Sequence, residues 1–303
     1  MKQILNAIRD TIFACPEESR RVFHGRGHCY EGLEGITVDW FKPVIWVCLY
    51  REVNLSWLAE FRAGIAAIVV DLQPNMALTV LLQFRYEQGA PCETLHGKSV
   101  AVGTAVEQQL RYQLKFGSQQ NVGLFLDMAE GRRWVRCHCR DQRVLNLFAY
   151  TCAFSVAAIA GGAHQVVNVD MSKSALSWGR ENHRFNQLPL QKVKFFGHDV
   201  MRSWGKFKKY GPYDLVIADP PSFQKGSFVA ASDYPKMAKR FPDLLTAEGR
   251  VLACLNAPEL PAEFLIQTMN DVGLKFVEQL NNPKDFPEKY PDRGLKVLLF
   301  QRE

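Results

Sequence analysis

The chain of 303 residues lacks any apolar run long enough to cross a bilayer, because runs such as residues 65–70 fall far short of the roughly 20 residues needed. Its first residues lack a long apolar stretch and carry acids early, which argues against a secretory signal. None of its eight cysteines belongs to a CxxC pair, which disfavours structural zinc and disulfide frameworks. We therefore expect a cytoplasmic protein with reduced thiols and no membrane association.

A strong charge of one sign is also missing, since the formal net charge is only +6. The surplus is nevertheless concentrated, because residues 192–240 contain ten lysines and arginines but four acids. This basic segment predicts a surface that contacts the phosphates of an RNA substrate. A solvated helix face explains the same surplus equally well.

Two regions of different character make up the chain. From Arg143 onward, short apolar strands alternate with helices, which predicts a Rossmann-like, doubly wound α/β sheet of seven mostly parallel strands. Its last two strands predict an antiparallel hairpin at one edge. Residues 20–90 instead alternate strands with turns around one helix that stops at Gly64, which is typical of a small α+β domain. We predict an N-terminal domain over residues 1–110, on the substrate side and able to bind RNA, and the Rossmann-like domain over 111–303.

In a doubly wound sheet, ligands bind beyond the carboxyl ends of the strands. After the first strand of the predicted sheet, residues 146–155 read NLFAYTCAFS, a tight turn whose backbone N–H groups can face a ligand at a helix start. The GxGxxG fingerprint of nicotinamide dehydrogenases is absent there, which disfavours that class of enzyme.

Acids follow three further strands of the predicted sheet. Asp170 stands 24 residues after Asn146, a spacing that suits a carboxylate binding ribose hydroxyls. Asp199, in the segment GHDV, can accept the amino group of an adenine, although a helix-capping role is equally common for a lone aspartate. Asp219 opens the stiff segment DPPSF, where it can hold an N–H of a planar substrate while Phe223 stacks on that substrate.

At these residues the sequence resembles S-adenosylmethionine-dependent methyltransferases of the Rossmann-like class. More narrowly, it resembles bacterial large-subunit rRNA methyltransferases of the I type, which act on cytosine C5, and the K type, which act on guanine N7. The family segments TGFFLDQR, NLFSYTGGFS, VDxS and DPPxF correspond in order to VGLFLDMAEGR at 122–132, NLFAYTCAFS at 146–155, VDMS at 169–172 and DPPSF at 219–223. The resemblance implies S-adenosylmethionine as the cofactor and ribosomal RNA as the substrate.

The resemblance also implies roles for individual residues. The cofactor site would comprise Phe125, Leu126, Asp127, Asn146, Phe148, Ala149, Tyr150, Thr151, Asp170, Met171, Ser172, His198, Asp199, Val200 and Asp219. The catalytic or base-contacting residues would be Asp219, Pro220, Pro221, Phe223 and Asn256. Cys152 and Ala153 stand where the family has two glycines, which predicts crowding of the cofactor's methionine part.

The target atom depends on one position. Methylation of cytosine C5 requires a cysteine thiolate, and the resemblance puts that residue at Asn256, with Cys254 two residues earlier in a buried strand. A ring nitrogen needs only positioning, so we favour a base nitrogen of ribosomal RNA. The alternatives are cytosine-C5 methylation of rRNA, a small-molecule or protein N-methyltransferase, and a non-catalytic cofactor-binding RNA module.

Two short segments contain residue types that bind metals. The first is RCHCR, with Cys137 and Cys139, and the second is FHGRGHCY, with His24, His28 and Cys29. Neither is followed by a second ligand pair at zinc-finger spacing, so we expect no metal.

Overall fold

A computed structural model describes residues 1–117, 121–221, 223–224 and 228–303, with the backbone alone described at 223–224. The chain forms two compact units, Met1–Leu126 with Lys284–Tyr290 and Asp127–Pro283 with Pro291–Glu303. The domain division at residue 110 stays a prediction, and the contacts group the chain up to Leu126 with the first unit.

The first unit contains a five-stranded sheet covered by two helices. Its elements are α1 (Lys2–Ala14), β1 (Arg20–His24), β2 (Ile36–Phe41), β3 (Val44–Leu49), α2 (Leu55–Leu72), β4 (Thr79–Phe84), β5 (Cys92–His96), β6 (Val102–Glu107) and β7 (Leu110–Lys115). The sheet order is β1-β2-β3-β4-β5, and β6 and β7 form a separate antiparallel pair. β3 and β4 are parallel, so the chain needs the crossover that α2 provides.

The helix α2 continues past Gly64, where the sequence predicted its end. A Cβ atom at Gly64 would lie 2.5 Å from a methyl carbon of Leu5 on α1. Gly64 is therefore a point of close contact between two helices and not a stop signal. The sequence analysis also missed α1 itself, whose buried residues Ile4 and Ile8 pack into the core of this unit.

The second unit is built on a seven-stranded sheet. Its elements are α3 (Ala129–His138), β8 (Arg143–Leu147), α4 (Ala153–Ala160), β9 (Gln165–Asp170), α5 (Lys173–Phe185), β10 (Val193–Gly197), α6 (Trp204–Lys208), β11 (Tyr213–Ala218), β12 (Phe223–Gln224), β13 (Phe228–Val229), α7 (Ala230–Ala238), β14 (Leu245–Leu255), α8 (Ala262–Asn270), β15 (Leu274–Leu280) and β16 (Lys296–Arg302). The strand order is β10-β9-β8-β11-β14-β16-β15. Only β16 runs antiparallel to its neighbours, β14 and β15, which confirms the predicted fold and edge hairpin.

The strand order reverses between β8 and β11. From β8 the chain builds outward through β9 and β10, and it then returns to place β11 on the other side of β8. The carboxyl ends of these two central strands therefore form the switch point at which doubly wound sheets bind ligands. We call the end of the sheet at which the parallel strands finish the carboxyl edge, and the end at which they begin the amino edge. None of the described helices is long and apolar enough to span a membrane.

Candidate functional site

The turn after β8 has an unusual backbone. Phe148, Tyr150 and Cys152 have φ values of +56°, +44° and +59°, in the left-handed region that non-glycine residues rarely adopt. Each such residue costs on the order of 1 kcal/mol or more unless its surroundings enforce the conformation. The turn therefore has a defined shape that the neighbouring strand must hold in place.

Asp170, the last residue of β9, holds that turn. Its Oδ2 atom accepts the backbone N–H of Tyr150 at 2.8 Å, and its Oδ1 atom accepts that of Ser172 at 2.7 Å. Burial raises the pKa of Asp170, and the two backbone N–H groups oppose that shift. Because each carboxylate oxygen can accept a second hydrogen bond, Asp170 can still bind a pair of hydroxyl groups. This pair of acceptors suits the hydroxyl groups of a ribose, and ribose binding by Asp170 stays a prediction.

The end of β10 lies beside Asp170. The backbone N–H of His198 donates to the carbonyl oxygen of Asp170 at 3.0 Å. Asp199 accepts the N–H of Met201 at 2.8 Å, so it caps a short 3-10 turn, and its proposed contact with adenine stays a prediction. Val200 is 2% exposed and packs in the core, whereas Met171 is 50% exposed.

Asn146 does not face an open crevice. Its side chain is only 1% exposed, and its Nδ2 atom donates to Asn168 Oδ1 at 2.8 Å. The Asn168 Nδ2 atom donates to Ser155 Oγ at 3.0 Å. Ser155 Oγ in turn lies 2.9 Å from His183 Nε2. The sequence analysis missed this buried chain, for which a polar residue within the apolar strand QVVNVD was the available signal.

His183 fixes the direction of these hydrogen bonds. Its Nδ1 atom lies 2.7 Å from the carbonyl oxygen of Gly179 and must donate to it, which leaves Nε2 to accept from the Ser155 hydroxyl. Burial lowers the pKa of His183, so the neutral ring that this pattern requires is favoured. These hydrogen bonds thus connect the end of β8 with the last turn of α5.

Cys152 is accommodated by a glycine on α5. Its side chain is fully buried, and a Cβ atom at Gly179 would lie 2.4 Å from Cys152 Sγ. The sulfur therefore occupies space that any larger residue at position 179 would fill. The Cys152 side chain thus points toward α5, and the crowding of the cofactor by Cys152 and Ala153 stays a prediction.

Asp219 follows β11 and has a perturbed carboxyl group. The pKa of Asp219 is raised to about 7, mainly by burial and also by the charge of Asp127, while the guanidinium of Arg132 opposes the shift. Arg132 itself is 2% exposed, and sequence analysis gave it no role. A carboxyl group with this pKa can accept a proton or hydrogen bond from a substrate near neutral pH.

Asn256 and Cys254, at the end of β14, differ in their exposure. Asn256 is exposed directly after the strand, whereas Cys254 is fully buried within it. Burial raises the pKa of Cys254 well above its ordinary value, and the charges of Asp219 and Asp127 raise it further. Cys254 is therefore a neutral thiol in the core. Its position beside two acids makes a thiolate unfavourable.

The remaining predicted positions are mixed in character. Phe125 is 44% exposed and Leu126 is 7% exposed, in the first unit, while Asp127 begins the second. Ala149 and Thr151 are buried, and Phe148 packs edge-on against Phe228 at 5.3 Å. After β11, Pro220 is buried and Pro221 is partly buried, whereas the side chain of Phe223 lies outside the described residues.

The lysines of the basic segment divide between the two edges of the sheet. Lys206 Nζ lies 3.0 Å from His198 Nε2, near the carboxyl end of β10. Lys208 instead pairs at 3.7 Å with Asp243, which precedes β14 at the amino edge. The basic segment is therefore not confined to the carboxyl edge, because Lys208 lies at the amino edge. Lys225 lies outside the described residues.

The segment FHGRGHCY contributes hydrogen bonds in the first unit. His24 Nδ1 lies 2.6 Å from Arg21 Nη1 and accepts from it, and His24 Nε2 lies 3.3 Å from Glu288. Within the described part of the chain, no group of three or more His, Cys, Asp or Glu residues could hold a metal ion.

Comparisons with known proteins agree with this arrangement. A family model described as S-adenosylmethionine-dependent methyltransferase matches residues 20–301. The chain is 29% identical over 289 residues to Ribosomal RNA large subunit methyltransferase I of Aeromonas salmonicida, covering 88% of this chain and 72% of that protein. It is 29% identical over 280 residues to the protein of the same name from Klebsiella pneumoniae, covering 86% and 69%. The crystal structure of SMU.776 complexed with SAH matches with a TM-score of 0.84 at 23% identity, covering 99% of this chain and 80% of that chain.

Proposed function

We propose that this chain, which belongs to the S-adenosylmethionine-dependent methyltransferase family, methylates a base nitrogen of ribosomal RNA. The family match confirms the resemblance read from the sequence, the enzyme class and the cofactor. The substrate class is supported by the name that the curated relatives carry, ribosomal RNA large subunit methyltransferase I. Because ribosomal RNA is a cytoplasmic substrate in bacteria, we also propose that the enzyme acts in the cytoplasm.

We propose that the cofactor binds at the carboxyl edge. S-adenosylmethionine supplies an electrophilic methyl group on a sulfonium. Asp170 would accept the ribose hydroxyls, and the left-handed turn around Tyr150 would bring backbone groups close to the methionine part. Asp199 would contact the adenine. The hydrogen-bond chain that begins at Asn146 would keep this turn in register with α5.

The burial of Cys254 is the observation that favours a base nitrogen over cytosine C5 as the methylated atom. Cytosine C5 methylation needs a thiolate that reaches the base, and Cys254 is a fully buried thiol with a raised pKa. Asn256 stands exposed where the resemblance expects the nucleophile. An amide there can donate to or accept from a base edge, which suits positioning of a nitrogen that already has a lone pair.

In this proposal Asp219 accepts a hydrogen bond from the target base. A carboxyl group with a pKa of about 7 is ionised in about half of the molecules at neutral pH, so it can hold an N–H group of the base. Phe223 would stack on the base plane, and Pro220 and Pro221 would restrict the loop that carries both residues.

We further propose that the basic segment contacts RNA phosphates near this site. Lys206 at the carboxyl edge is the lysine best supported for that role, because its ammonium group lies beside His198. Contacts of this kind give affinity without sequence preference.

The test of the proposed function compares the modified nucleosides of ribosomal RNA from cells with and without the gene by mass spectrometry. We expect one N-methylated nucleoside to disappear in the deletion strain and to return with the wild-type gene. Loss of 5-methylcytidine instead would restore the carbon target. An unchanged nucleoside profile would favour a small-molecule or protein substrate.

A further inference from the structure

One buried hydroxyl group joins the two strand ends at the proposed target site. Tyr234 on α7 is fully buried, and its hydroxyl oxygen lies 2.9 Å from the carbonyl oxygen of Cys254 and 3.3 Å from that of Ala218. The first carbonyl belongs to β14 and the second to β11. Because a hydroxyl carries one hydrogen, the two carbonyl groups share a single donor.

The two carbonyl groups belong to residues that shortly precede the proposed functional residues: Ala218 directly precedes Asp219, and Cys254 stands two residues before Asn256. The carbonyl of Ala218 belongs to the peptide plane that leads into Asp219, and rotation of this plane would redirect the carboxyl group. The carbonyl of Cys254 belongs to the plane that leads into Leu255, one residue before Asn256. Asp219 and Asn256 each follow directly after the last residue of their strand, β11 and β14, so the sheet ladder does not fix them.

The ring of Tyr234 is fixed in turn by a row of aromatic side chains. It packs edge-on against Phe228 at 6.1 Å, and Phe228 packs edge-on against Phe148 at 5.3 Å. Phe148 belongs to the left-handed turn after β8. Burial raises the pKa of the Tyr234 hydroxyl well above its ordinary value, so the group remains a neutral donor.

We propose that Tyr234 is a positioning residue that sets the separation and orientation of Asp219 and Asn256 around the target base. This inference rests on the proposed function for the catalytic role of those two residues, but the positioning itself does not depend on the substrate. Tyr234 would act through the two backbone carbonyl groups that its hydroxyl contacts.

A second buried tyrosine provides a matched control. Tyr213 is also fully buried, and its hydroxyl donates to the carbonyl oxygen of Phe207 at 2.7 Å. It stands at the start of β11, at the opposite end of the strand that leads into Asp219. Tyr213→Phe and Tyr234→Phe therefore remove the same chemical group from the same depth, at the two edges of one sheet.

The first measurement is hydrogen–deuterium exchange of the full chain. For Tyr234→Phe we expect faster exchange in peptides that cover residues 215–219 and 253–257. For Tyr213→Phe we expect the change near residues 205–213 instead. Unchanged exchange at both strand ends of Tyr234→Phe would overturn the proposal. A rise spread over the whole chain would also overturn it, because Tyr234 would then have a general structural role.

The second measurement is methyl transfer to ribosomal RNA. We expect Tyr234→Phe to lower kcat by about 10- to 100-fold, because displacement of a positioned group by about 1 Å has effects of this size. We expect the cofactor Kd of Tyr234→Phe and the kcat of Tyr213→Phe to stay within about twofold of wild type.

A wild-type kcat in Tyr234→Phe would contradict the positioning role. A wild-type enzyme that does not methylate RNA would count against the proposed function, while the exchange measurement would still decide the role of Tyr234.

Discussion

The aspartate side chains at the two edges of the seven-stranded sheet have different surroundings. At the amino edge, Asp214 accepts the backbone N–H of Arg143 at 2.8 Å and the hydroxyl of Thr246 at 3.3 Å. At the carboxyl edge, burial raises the pKa of Asp170 and of Asp219, and the latter reaches about 7. One edge thus uses a carboxylate to join strands, and the other holds carboxyl groups in surroundings that disfavour their charge. Carboxyl groups with raised pKa values are typical of binding and catalytic sites.

Exchange of one carboxyl group at each end of β11 gives the largest expected contrast. Asp219→Asn should lower methyl transfer by at least about 100-fold, since a neutral amide replaces the charged acceptor that holds the N–H group of the target base in position. Asp214→Asn should leave methyl transfer within about twofold, because its bonds join strands at the far edge. Steady-state kinetics of both variants checks this contrast, and equal losses of activity would remove the distinction between the edges.

Asp219 should also make the stability of the protein depend on pH. The folded state raises the pKa of Asp219 from 3.8 to about 7, so the folded state favours the protonated form. The unfolding free energy therefore falls as pH rises from about 4 through 7, and Asp219→Asn should be more stable than wild type at pH 8 by on the order of 4 kcal/mol. Denaturant unfolding at pH 5 and pH 8 measures the difference, and an equal stability difference at both pH values would contradict this prediction.

Cofactor affinity should depend on the carboxyl edge alone. Asp170→Ala removes the acceptor of two backbone N–H groups and of the proposed ribose hydroxyls, so we expect binding of S-adenosylmethionine to weaken by about 1–3 kcal/mol. Asp243→Ala, at the amino edge, should leave the affinity unchanged. Isothermal titration calorimetry distinguishes the two variants. Unchanged affinity in a folded Asp170→Ala protein would remove Asp170 from the cofactor site.

The contact between Cys152 and Gly179 tests how the left-handed turn is supported. Gly179→Ala places a carbon 2.4 Å from Cys152 Sγ, so we expect a loss of about 1–3 kcal/mol of unfolding free energy through overpacking. The double variant Gly179→Ala/Cys152→Gly should recover most of that loss. Denaturant unfolding of the complete double-mutant cycle measures the coupling, and additive losses would show that the two sites are independent.

The single variant Cys152→Gly separates packing from cofactor crowding. Because the Cys152 sulfur points toward α5, its removal should leave the affinity for S-adenosylmethionine within about twofold. Tighter binding by Cys152→Gly in calorimetry would mean that the side chain does crowd the cofactor.

The smallest effect concerns RNA affinity. Lys206→Ala should lower RNA affinity severalfold and reduce the slope of log affinity against log salt by about 0.7 to 0.9, the change expected for one lost phosphate contact. Lys208→Ala should leave that slope unchanged, because Lys208 pairs with Asp243 at the amino edge. Binding titrations at several salt concentrations compare the two variants. Identical slopes in both would indicate a solvated helix face.

Much of the second unit could be predicted because its sequence signals are local. Apolar strands, a capping serine before α5 and prolines directly after β11 each fix an element boundary by backbone chemistry. The placement of acids after β9, β10 and β11 then follows from the geometry of a parallel sheet. The structure accordingly places Asp170 at the end of β9, where it also accepts the backbone N–H of Tyr150.

The parts that could not be predicted depend on contacts between distant residues. Gly64 looks like a helix stop until Leu5 on another helix is seen to pack against it. Lys208 could be assigned to the amino edge only once its partner Asp243 was known. Arg132 and Tyr234 lack a local signal, because their effects on Asp219 and on two strand ends arise only in the folded chain.

The most direct test of the account is methyl transfer to purified ribosomal RNA by the wild type, Cys254→Ser and Asp219→Asn, followed by identification of the methylated atom by mass spectrometry. The account predicts an N-methylated base, activity of Cys254→Ser within about threefold of wild type, and activity of Asp219→Asn lower by at least about 100-fold. A 5-methylcytosine product whose formation is abolished by Cys254→Ser would contradict it.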